Sequence, residues 1–173
     1  MLHTAEYVAK VSEQAGQRSL IAPSPIGGLK LTSDGEALTG LWFMGTQAGP
    51  PKEKPDAILK SAIEELEAYF ARRLTRFETP VRPSRGTDFQ RKVWAALRDI
   101  PYGVTRSYAD IARSIGQPTA SRAVGAANGA NPISIIVPCH RVIGAKGALV
   151  GFGGGLHSKR RLLELEGVFL PLS

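Results

Sequence analysis

The stretch TASRAVGAANGANPISIIVPCHRVI, residues 119–143, decides the expected architecture of the second half of the chain. Its first part is rich in Ala and Gly and carries one charged side chain, Arg122, which predicts a helix with an almost bare surface. Its second part contains the apolar run 133–137, which predicts a buried strand that ends at Cys139 and His140. Together, these features predict a reactive side chain held next to a surface that a partner can approach closely.

Cys139 is the single cysteine of the chain, and a lone cysteine is usually an inert buried side chain. Its neighbours favour a nucleophile instead, because His140 can act as a base and a cation such as Arg141 favours the thiolate. Adjacent side chains of an extended segment point to opposite faces, so His140 reaches the sulfur only if the chain turns or a water lies between them. Such a base also needs a carboxylate to fix its tautomer. The sequence pattern alone leaves five acidic candidates in the second half: Asp88, Asp99, Asp110, Glu164 and Glu166.

Two short helices, predicted over 107–116 and 119–129, have the outline of a helix-turn-helix. A helix that reads the major groove usually offers several long polar side chains, whereas 119–129 offers only Arg122. Small residues also allow close packing inside a protein, but Arg122 would then need an anionic partner. Insertion into the minor groove, which is about 6 Å wide, explains both the small residues and the lone arginine.

The first half predicts a small α/β unit. Short apolar runs within 18–46 predict strands, and Asp34-Gly35 predicts the turn of a hairpin. Apolar residues at three- and four-residue spacing predict a helix from about Asp56 to Arg76.

Two prolines near residue 80 indicate a boundary between two domains. We expect an N-terminal α/β domain over 1–80, a linker over 81–86 and a mainly helical C-terminal domain over 87–173. The C-terminal domain opens with the capping-box pattern from Thr87 to Gln90, and a second such pattern, from Ser107 to Asp110, starts a short helix.

Charge and composition narrow the class of protein. The chain has 173 residues and a net charge of +7, of which residues 86–173 carry +6 (11 Lys and Arg against 5 Asp and Glu). A basic half of this kind suits a polyanionic partner such as DNA. We expect no signal peptide and no membrane span, so the predicted location is the cytoplasm. One cysteine and three scattered histidines exclude an internal disulfide and disfavour a metal site.

Several motifs, in family order, carry a resemblance to a known family. The string PCHRV at 138–142 is preceded by RAVG at 122–125 and by Asn131-Pro132, and LELEG follows at 163–167. This set resembles the O6-alkylguanine-DNA alkyltransferases of the bacterial, methylated-DNA–protein-cysteine methyltransferase type. The resemblance is strong over 86–168 and weaker over 24–44 and 58–70.

The resemblance implies a fold and a reaction. The fold is a ribonuclease H-like α/β domain followed by a helical domain with a helix-turn-helix, and the first domain is expected to take little part in catalysis. The reaction is DNA repair by direct, irreversible transfer of an alkyl group from guanine O6 to a cysteine, once per protein molecule. The partner is double-stranded DNA that contains O6-alkylguanine, with the damaged base flipped out from the minor-groove side. No cofactor is implied, because the alkylated base is itself the donor.

The resemblance also implies roles for named residues. Cys139 accepts the alkyl group, His140 is the water-mediated base, Glu166 orients His140, and Asn131 braces the active-site turn. The implied DNA-binding residues are Ser107, Tyr108, Thr119, Arg122, Ala123 and Ala127. Arg122 fills the gap left by the flipped nucleotide, and Tyr108 assists flipping and donates a proton to guanine N3. The implied substrate pocket consists of Tyr108, Ser134, Val137, Phe152 and Gly153.

Two positions depart from the family pattern, and one alternative function stays open. Phe152 stands where many relatives carry Tyr, and Ser134 stands where some carry Pro, so the sequence does not fix the preferred adduct size. Activity on O4-alkylthymine and cooperativity along DNA are equally open, and the chain is expected to be a monomer in solution. The alternative function is a non-catalytic sensor of alkylated bases, which would not need a reactive thiol at Cys139.

Overall fold

The expected division into a sheet-bearing first part and a helical second part is confirmed by a computed structural model, which describes residues 16–45 and 54–170. Three strands, β1 (Arg18–Ala22), β2 (Leu29–Ser33) and β3 (Leu38–Phe43), form an antiparallel sheet in chain order. The predicted turn lies between β2 and β3. There Asp34 Oδ1 accepts the backbone N–H groups of Glu36 and Ala37 at 3.0 and 2.8 Å.

Helix α1 (Ala57–Phe70) covers one face of this sheet. Its N-cap is Asp56, whose carboxylate accepts the N–H of Leu59 at 2.8 Å. The helix ends before the expected Arg76, because Arg72 adopts a left-handed conformation with φ of 59°. The N–H of Arg73 then turns back to the carbonyl of Ala68 at 2.8 Å, which closes the helix end.

The described residues of the second part form four α-helices and a small parallel sheet, besides two short 3-10 turns. The helices are α2 (Asp88–Arg98), α3 (Tyr108–Ser114), α4 (Ser121–Gly129) and α5 (Gly155–Leu165). The sheet pairs β4 (Arg106–Ser107) with β5 (Val142–Ile143). Both predicted capping boxes are present, Thr87 with Gln90 and Ser107 with Asp110. Helices α2, α3 and α4 pack on one another, and α3 and α4 form the helix-turn-helix pair.

The predicted strand over 133–137 is wrong. These residues are all buried, but they form consecutive turns in which Ile135 has a φ of 70° and Val137 N–H donates to the carbonyl of Ile133 at 3.0 Å. The segment gains only an isolated bridge to β3, where Leu41 N–H donates to Pro132 O at 2.9 Å and Ser134 N–H donates to Leu41 O at 3.0 Å. An apolar run indicates that its residues are buried, but not that they form a strand. Here the residues are buried without extended hydrogen bonding to a neighbouring strand.

The sheet also contacts the chain around the expected linker. Leu38 N–H donates to Pro80 O at 2.8 Å, and Arg82 N–H donates back to Leu38 O at 2.9 Å. The domain limits at 80 and 87 stay predictions.

Across the described ranges 16–45 and 54–170, no helix has the length and apolar character of a membrane span.

Candidate active site

His140 and Glu166 form a fully buried pair at the centre of the candidate site. His140 Nε2 lies 2.7 Å from Glu166 Oε1, and both side chains are completely inaccessible to solvent. Burial lowers the pKa of His140 below its ordinary 6.5 and outweighs the opposing effect of Glu166, so the imidazole is neutral at pH 7. Because an ionised carboxylate can only accept, Nε2 carries the proton and Nδ1 presents its lone pair. Nδ1 is buried and has no hydrogen-bond partner among the described residues, which leaves it free to accept a proton.

Several donors converge on the Glu166 carboxylate. Arg141 binds it in a bidentate manner, with Nε 2.9 Å from Oε2 and Nη2 2.9 Å from Oε1. The backbone N–H of Gly103 donates to Oε2 at 3.1 Å. Burial alone would raise the pKa of Glu166, but the hydrogen bonds and charges of His140 and Arg141 outweigh it and hold that pKa far below the ordinary value. Glu166 is therefore an anion whose orientation is fixed from several sides.

Cys139 lies in a single turn of 3-10 helix, Cys139–Arg141, and not at the end of a strand. The turn solves the geometric problem that an extended chain would pose, because it brings Cys139 and His140 out of the strict two-face alternation of a strand. Asn131 braces the preceding segment: its Nδ2 donates to Val137 O at 2.8 Å, and its Oδ1 accepts the N–H of Ile133 at 3.0 Å. Its position agrees with the bracing role implied by the resemblance.

The Cys139 thiol is buried, and only 3% of the residue is exposed. Burial raises its pKa, and the opposing contributions of the Asn131 side chain, the charge on Lys159 and nearby backbone N–H groups offset this only in part. The resting side chain is therefore a neutral thiol that needs a base, which the free Nδ1 of His140 can provide.

The residues expected to line the substrate pocket fall into two groups. Ser134 and Val137 are buried in the turn segment before Cys139. Phe152 packs edge-on against Phe43 of β3 with ring centroids 5.3 Å apart, and Gly153 is exposed beside it. A Cβ on Gly154 would lie 2.6 Å from the Phe43 ring, so glycine is required for this close approach.

Tyr108 connects the helix-turn-helix to the reactive centre. Its ring is half-buried, and its hydroxyl donates to Val150 O at 3.3 Å. Two causes raise the pKa of this hydroxyl: burial, which is the larger, and the negative charge of a Cys139 thiolate. Tyr108 is therefore a neutral phenol that lies near the sulfur. It is the one predicted site residue that belongs to both implied sets, DNA-binding and pocket.

Most of the predicted DNA-binding residues are at least partly exposed in the helix-turn-helix segment. Thr119, Arg122 and Ala123 are exposed, and Ser107 is partly exposed at the N-cap of α3. No carboxylate among the described residues forms an ion pair with Arg122, which leaves its guanidinium available. Ala127 corrects the expectation, since only 2% of it is exposed and its carbonyl accepts the indole N–H of Trp94 at 2.8 Å.

Comparison with known proteins identifies the family. The model of the 6-O-methylguanine DNA methyltransferase DNA-binding domain matches residues 88–168. The model of the ribonuclease-like domain of the same proteins matches residues 19–83. The chain belongs to the 6-O-methylguanine DNA methyltransferase family.

Individual methyltransferases resemble the chain over most of its length. The methylated-DNA–protein-cysteine methyltransferase of Mycobacterium tuberculosis is 55% identical over 146 residues, which are 83% of this chain and 88% of that protein. The enzyme of the same name from Methanosarcina acetivorans is 51% identical over 154 residues, 85% of this chain and 96% of that protein. The crystal structure of the Mycobacterium tuberculosis protein in complex with DNA has a TM-score of 0.76 at 54% identity and covers 87% of this chain and 91% of that chain.

Within this methyltransferase fold, sequence reasoning missed two buried polar side chains of the site. Lys159 is fully buried, and its Nζ donates to Val142 O at 2.6 Å and to Val150 O at 2.9 Å. Burial lowers its pKa to about 8. A signal was present, because Lys159, the apolar Leu162 and Glu166, the C-cap residue of α5, follow one another at helical spacing.

The second missed side chain is Tyr69 of α1, whose hydroxyl donates to Glu166 Oε1 at 2.7 Å. No local pattern marks it, because a Tyr on the apolar face of a helix looks like ordinary core. The sequence predicted that Arg141 favours the Cys139 thiolate, but its contacts lie elsewhere. Its guanidinium binds Glu166 and the carbonyl of Ile100, at 2.6 Å, instead of directly stabilising a Cys139 thiolate.

Proposed function

We propose that the chain repairs DNA by transferring the alkyl group of O6-alkylguanine to Sγ of Cys139, in a single irreversible turnover per protein molecule. The observation that carries the proposal is the buried pair of His140 and Glu166 beside the buried Cys139, in which His140 Nδ1 has no hydrogen-bond partner among the described residues. Family membership supports methyl transfer from DNA, and the geometry supports the residues that perform it.

Activation of the nucleophile is the first step. Cys139 gives its proton, through a water, to Nδ1 of His140, and the resulting imidazolium is stabilised by the Glu166 anion. The thiolate is formed only at this moment, since burial keeps the resting pKa of Cys139 high. The Arg141 guanidinium holds Glu166 in place while the charge on His140 changes.

The transfer itself is a displacement at the alkyl carbon. The sulfur forms a bond to that carbon, the bond between the carbon and guanine O6 breaks, and its electron pair stays on guanine. Tyr108, a neutral phenol near Cys139, is the proposed donor that neutralises the guanine at N3. The product on Cys139 is a thioether, which thiol–disulfide exchange does not cleave, so the protein is consumed.

A flipped base is needed because the nucleophile is buried. Only 3% of Cys139 is exposed, so an alkyl group inside a DNA duplex cannot reach the sulfur. The exposed face of α4 carries Arg122 and Ala123, and we propose that it enters the minor groove with Arg122 in the place of the extruded nucleotide. Thr119 and the N-terminal end of α3 at Ser107 would contact the backbone.

The proposed pocket for the base is walled by Val137 and Ser134 on one side and by Phe152 and Gly153 on the other. The ring of Phe152 is held by Phe43, so the pocket wall is partly fixed before DNA binds.

The first test is the mass of the intact protein after incubation with a duplex that contains one O6-methylguanine. A gain of about 14 Da, one methylene by simple atomic mass, is expected on the peptide that contains Cys139.

The matched variant Cys139→Ser should bind the same duplex with similar affinity and gain no mass. The same duplex with unmodified guanine is the substrate control. Binding without any mass gain in the wild type would contradict the proposal and favour a non-catalytic sensor of alkylated bases.

The role of Arg122 is tested by comparing two substrates. Arg122→Ala should slow methyl transfer from duplex DNA far more than transfer from a free O6-alkylguanine base, because the free base needs no flipping. Arg98→Ala, which removes another exposed arginine on α2, is the matched control and should affect both substrates little. Equal losses on both substrates for Arg122→Ala would refute the intercalating role.

A further inference from the structure

Tyr69 links the N-terminal domain directly to the centre of the candidate site. Its hydroxyl donates to Glu166 Oε1 at 2.7 Å, although the two residues are 97 positions apart in the chain. It lies in the last turn of α1, on the helix that otherwise covers the sheet. Among the described residues outside the C-terminal domain, Tyr69 is the one that hydrogen-bonds Glu166.

The surroundings of Tyr69 hold it as a fixed donor. The residue is completely buried, and its ring packs against the rings of Phe70, Phe77 and Tyr102 at centroid distances of 5.4, 5.3 and 6.0 Å. The pKa of its hydroxyl is raised well above the ordinary 10 by burial, which is the largest cause, and by the negative charge of Glu166. Tyr69 therefore remains a phenol at every working pH and can only donate to the carboxylate.

We propose that Tyr69 is a positioning residue for alkyl transfer, through which the N-terminal domain controls how strongly Glu166 supports His140. The proposal rests on the function proposed above, in which His140 is the base. It revises the expectation that the first domain takes little part in catalysis.

The physical reason lies in how Oε1 is shared. This oxygen accepts hydrogen bonds from Tyr69, His140 and Arg141. Each donor takes up part of its negative charge, so removal of one donor leaves more charge for the others. Loss of the Tyr69 hydroxyl should therefore strengthen the interaction of Glu166 with a protonated His140 and raise the pKa of the imidazole.

Other charged or titratable groups also face this pair. They are Arg141 and the Cys139 thiol on the 3-10 turn, Lys159 on α5, and Tyr102 in the loop after α2, with the charge of Arg72 acting on Tyr102. A change confined to the Tyr69 hydroxyl leaves all of them in place. The pKa of His140 is therefore a specific reporter of that hydrogen bond.

The test is the pH dependence of the single-turnover rate of methyl transfer from duplex DNA for the wild type and for Tyr69→Phe. The rate should fall at low pH as His140 becomes protonated, and in the variant this acid limb should move up by about 0.5 to 1 pH unit. A purely structural role would lower the plateau without moving the limb. The matched control is Tyr102→Phe, which loses only a hydroxyl that donates to Leu165 O at 3.1 Å and should leave the limb within about 0.2 unit of the wild type.

A second variant keeps the packing intact. Replacement of Tyr69 by 3-fluorotyrosine makes the hydroxyl a stronger donor with almost the same volume, and it should move the acid limb to lower pH. Opposite shifts in the two variants would support the proposal, and an unmoved limb in both would overturn it. NMR titration of the His140 ring follows the same pKa without substrate, while the mass test on Cys139 decides the proposed function separately, so the two ideas fail independently.

Discussion

Replacement of Glu166 by Gln is the perturbation that bears most directly on the candidate site. Glutamine keeps the size of the side chain and removes its charge. The Arg141 guanidinium, whose side chain is only 7% exposed, would then lose both 2.9 Å contacts to an anion and remain buried without compensation. Glutamine offers one accepting oxygen where the carboxylate offers two, and its NH2 group can only donate toward the donors of this site. It can no longer stabilise a protonated His140 by charge, so Glu166→Gln should lose both stability and methyl transfer.

The expected size of the stability loss follows from the burial of the pair. Removal of one partner of a buried ion pair costs about 3–5 kcal/mol. For a chain of this length, such a loss lowers Tm by roughly 6–20 °C. The pKa of Glu166 is depressed in the folded state, so its contribution is complete above the unfolded value of 4.5 and is lost as the pH falls below it. The gap in stability between wild type and variant should therefore be full at pH 7 and shrink below pH 4.5.

Urea unfolding followed by circular dichroism at pH 7 and pH 4 measures both quantities. Glu164→Gln is the matched control, because Glu164 lies in the last turn of α5, two residues before Glu166, and is exposed. It should change the free energy of unfolding by no more than about 0.5 kcal/mol. A Glu166→Gln protein within about 1 kcal/mol of the wild type at pH 7 would refute the view that this carboxylate stabilises a buried cluster of donors.

Three further substitutions test the surroundings of the site. Asn131→Ala should destabilise the protein by about 2–4 kcal/mol, because two buried backbone groups of the active-site turn lose their partners. Urea unfolding measures this loss of free energy. A loss under about 0.5 kcal/mol would contradict the bracing role. Lys159→Met should raise the pKa of the Cys139 thiol further, as followed by thiolate absorbance, and an unchanged or lower pKa would count against the influence of Lys159. The wild type should also gain stability between about pH 8 and pH 10.5, as the folded Lys159 releases its proton before the unfolded one, and the variant should not show this gain. Gly154→Ala should slow methyl transfer and lower the free energy of unfolding by about 1–3 kcal/mol, because the new Cβ meets the Phe43 ring at 2.6 Å. A variant with the stability and transfer rate of the wild type would show that this close approach is not needed.

Local signals predicted the local parts of the fold well. The two capping boxes and the Asp34-Gly35 turn each depend on residues within three or four positions, and all three lie where the sequence indicates. The end of α1 was misplaced because an arginine, Arg72, takes the left-handed position that glycine usually marks. The run 133–137 was misassigned because an apolar pattern indicates burial, and no strand among the described residues pairs with it beyond one bridge to Leu41.

The site was predictable only in part. His140 beside Cys139 showed that a carboxylate was needed, but spacing could not choose Glu166, and the resemblance supplied that choice. The spacing along α5 could have indicated both Glu166 and Lys159, because charged residues at apolar positions of a helix are costly unless they have partners. Tyr69 could not be found from the sequence, since its partner lies 97 residues away and the contact exists only after two domains pack together.

Burial changes the pKa of Cys139 and that of His140 in opposite directions, and both changes favour the uncharged forms. The resting site is therefore a neutral thiol beside a neutral base and not a preformed thiolate–imidazolium pair. The proposed single-turnover reaction benefits from this state, because a neutral thiol reacts slowly with stray electrophiles. The anion at Glu166 lies ready to stabilise the imidazolium once a proton moves, so the cost of charge separation is met within the protein when the substrate is in place. Reactivity of Cys139 toward a small alkylating agent should accordingly be low at pH 7 and rise steeply at alkaline pH, whereas transfer from alkylated DNA should already be efficient at pH 7.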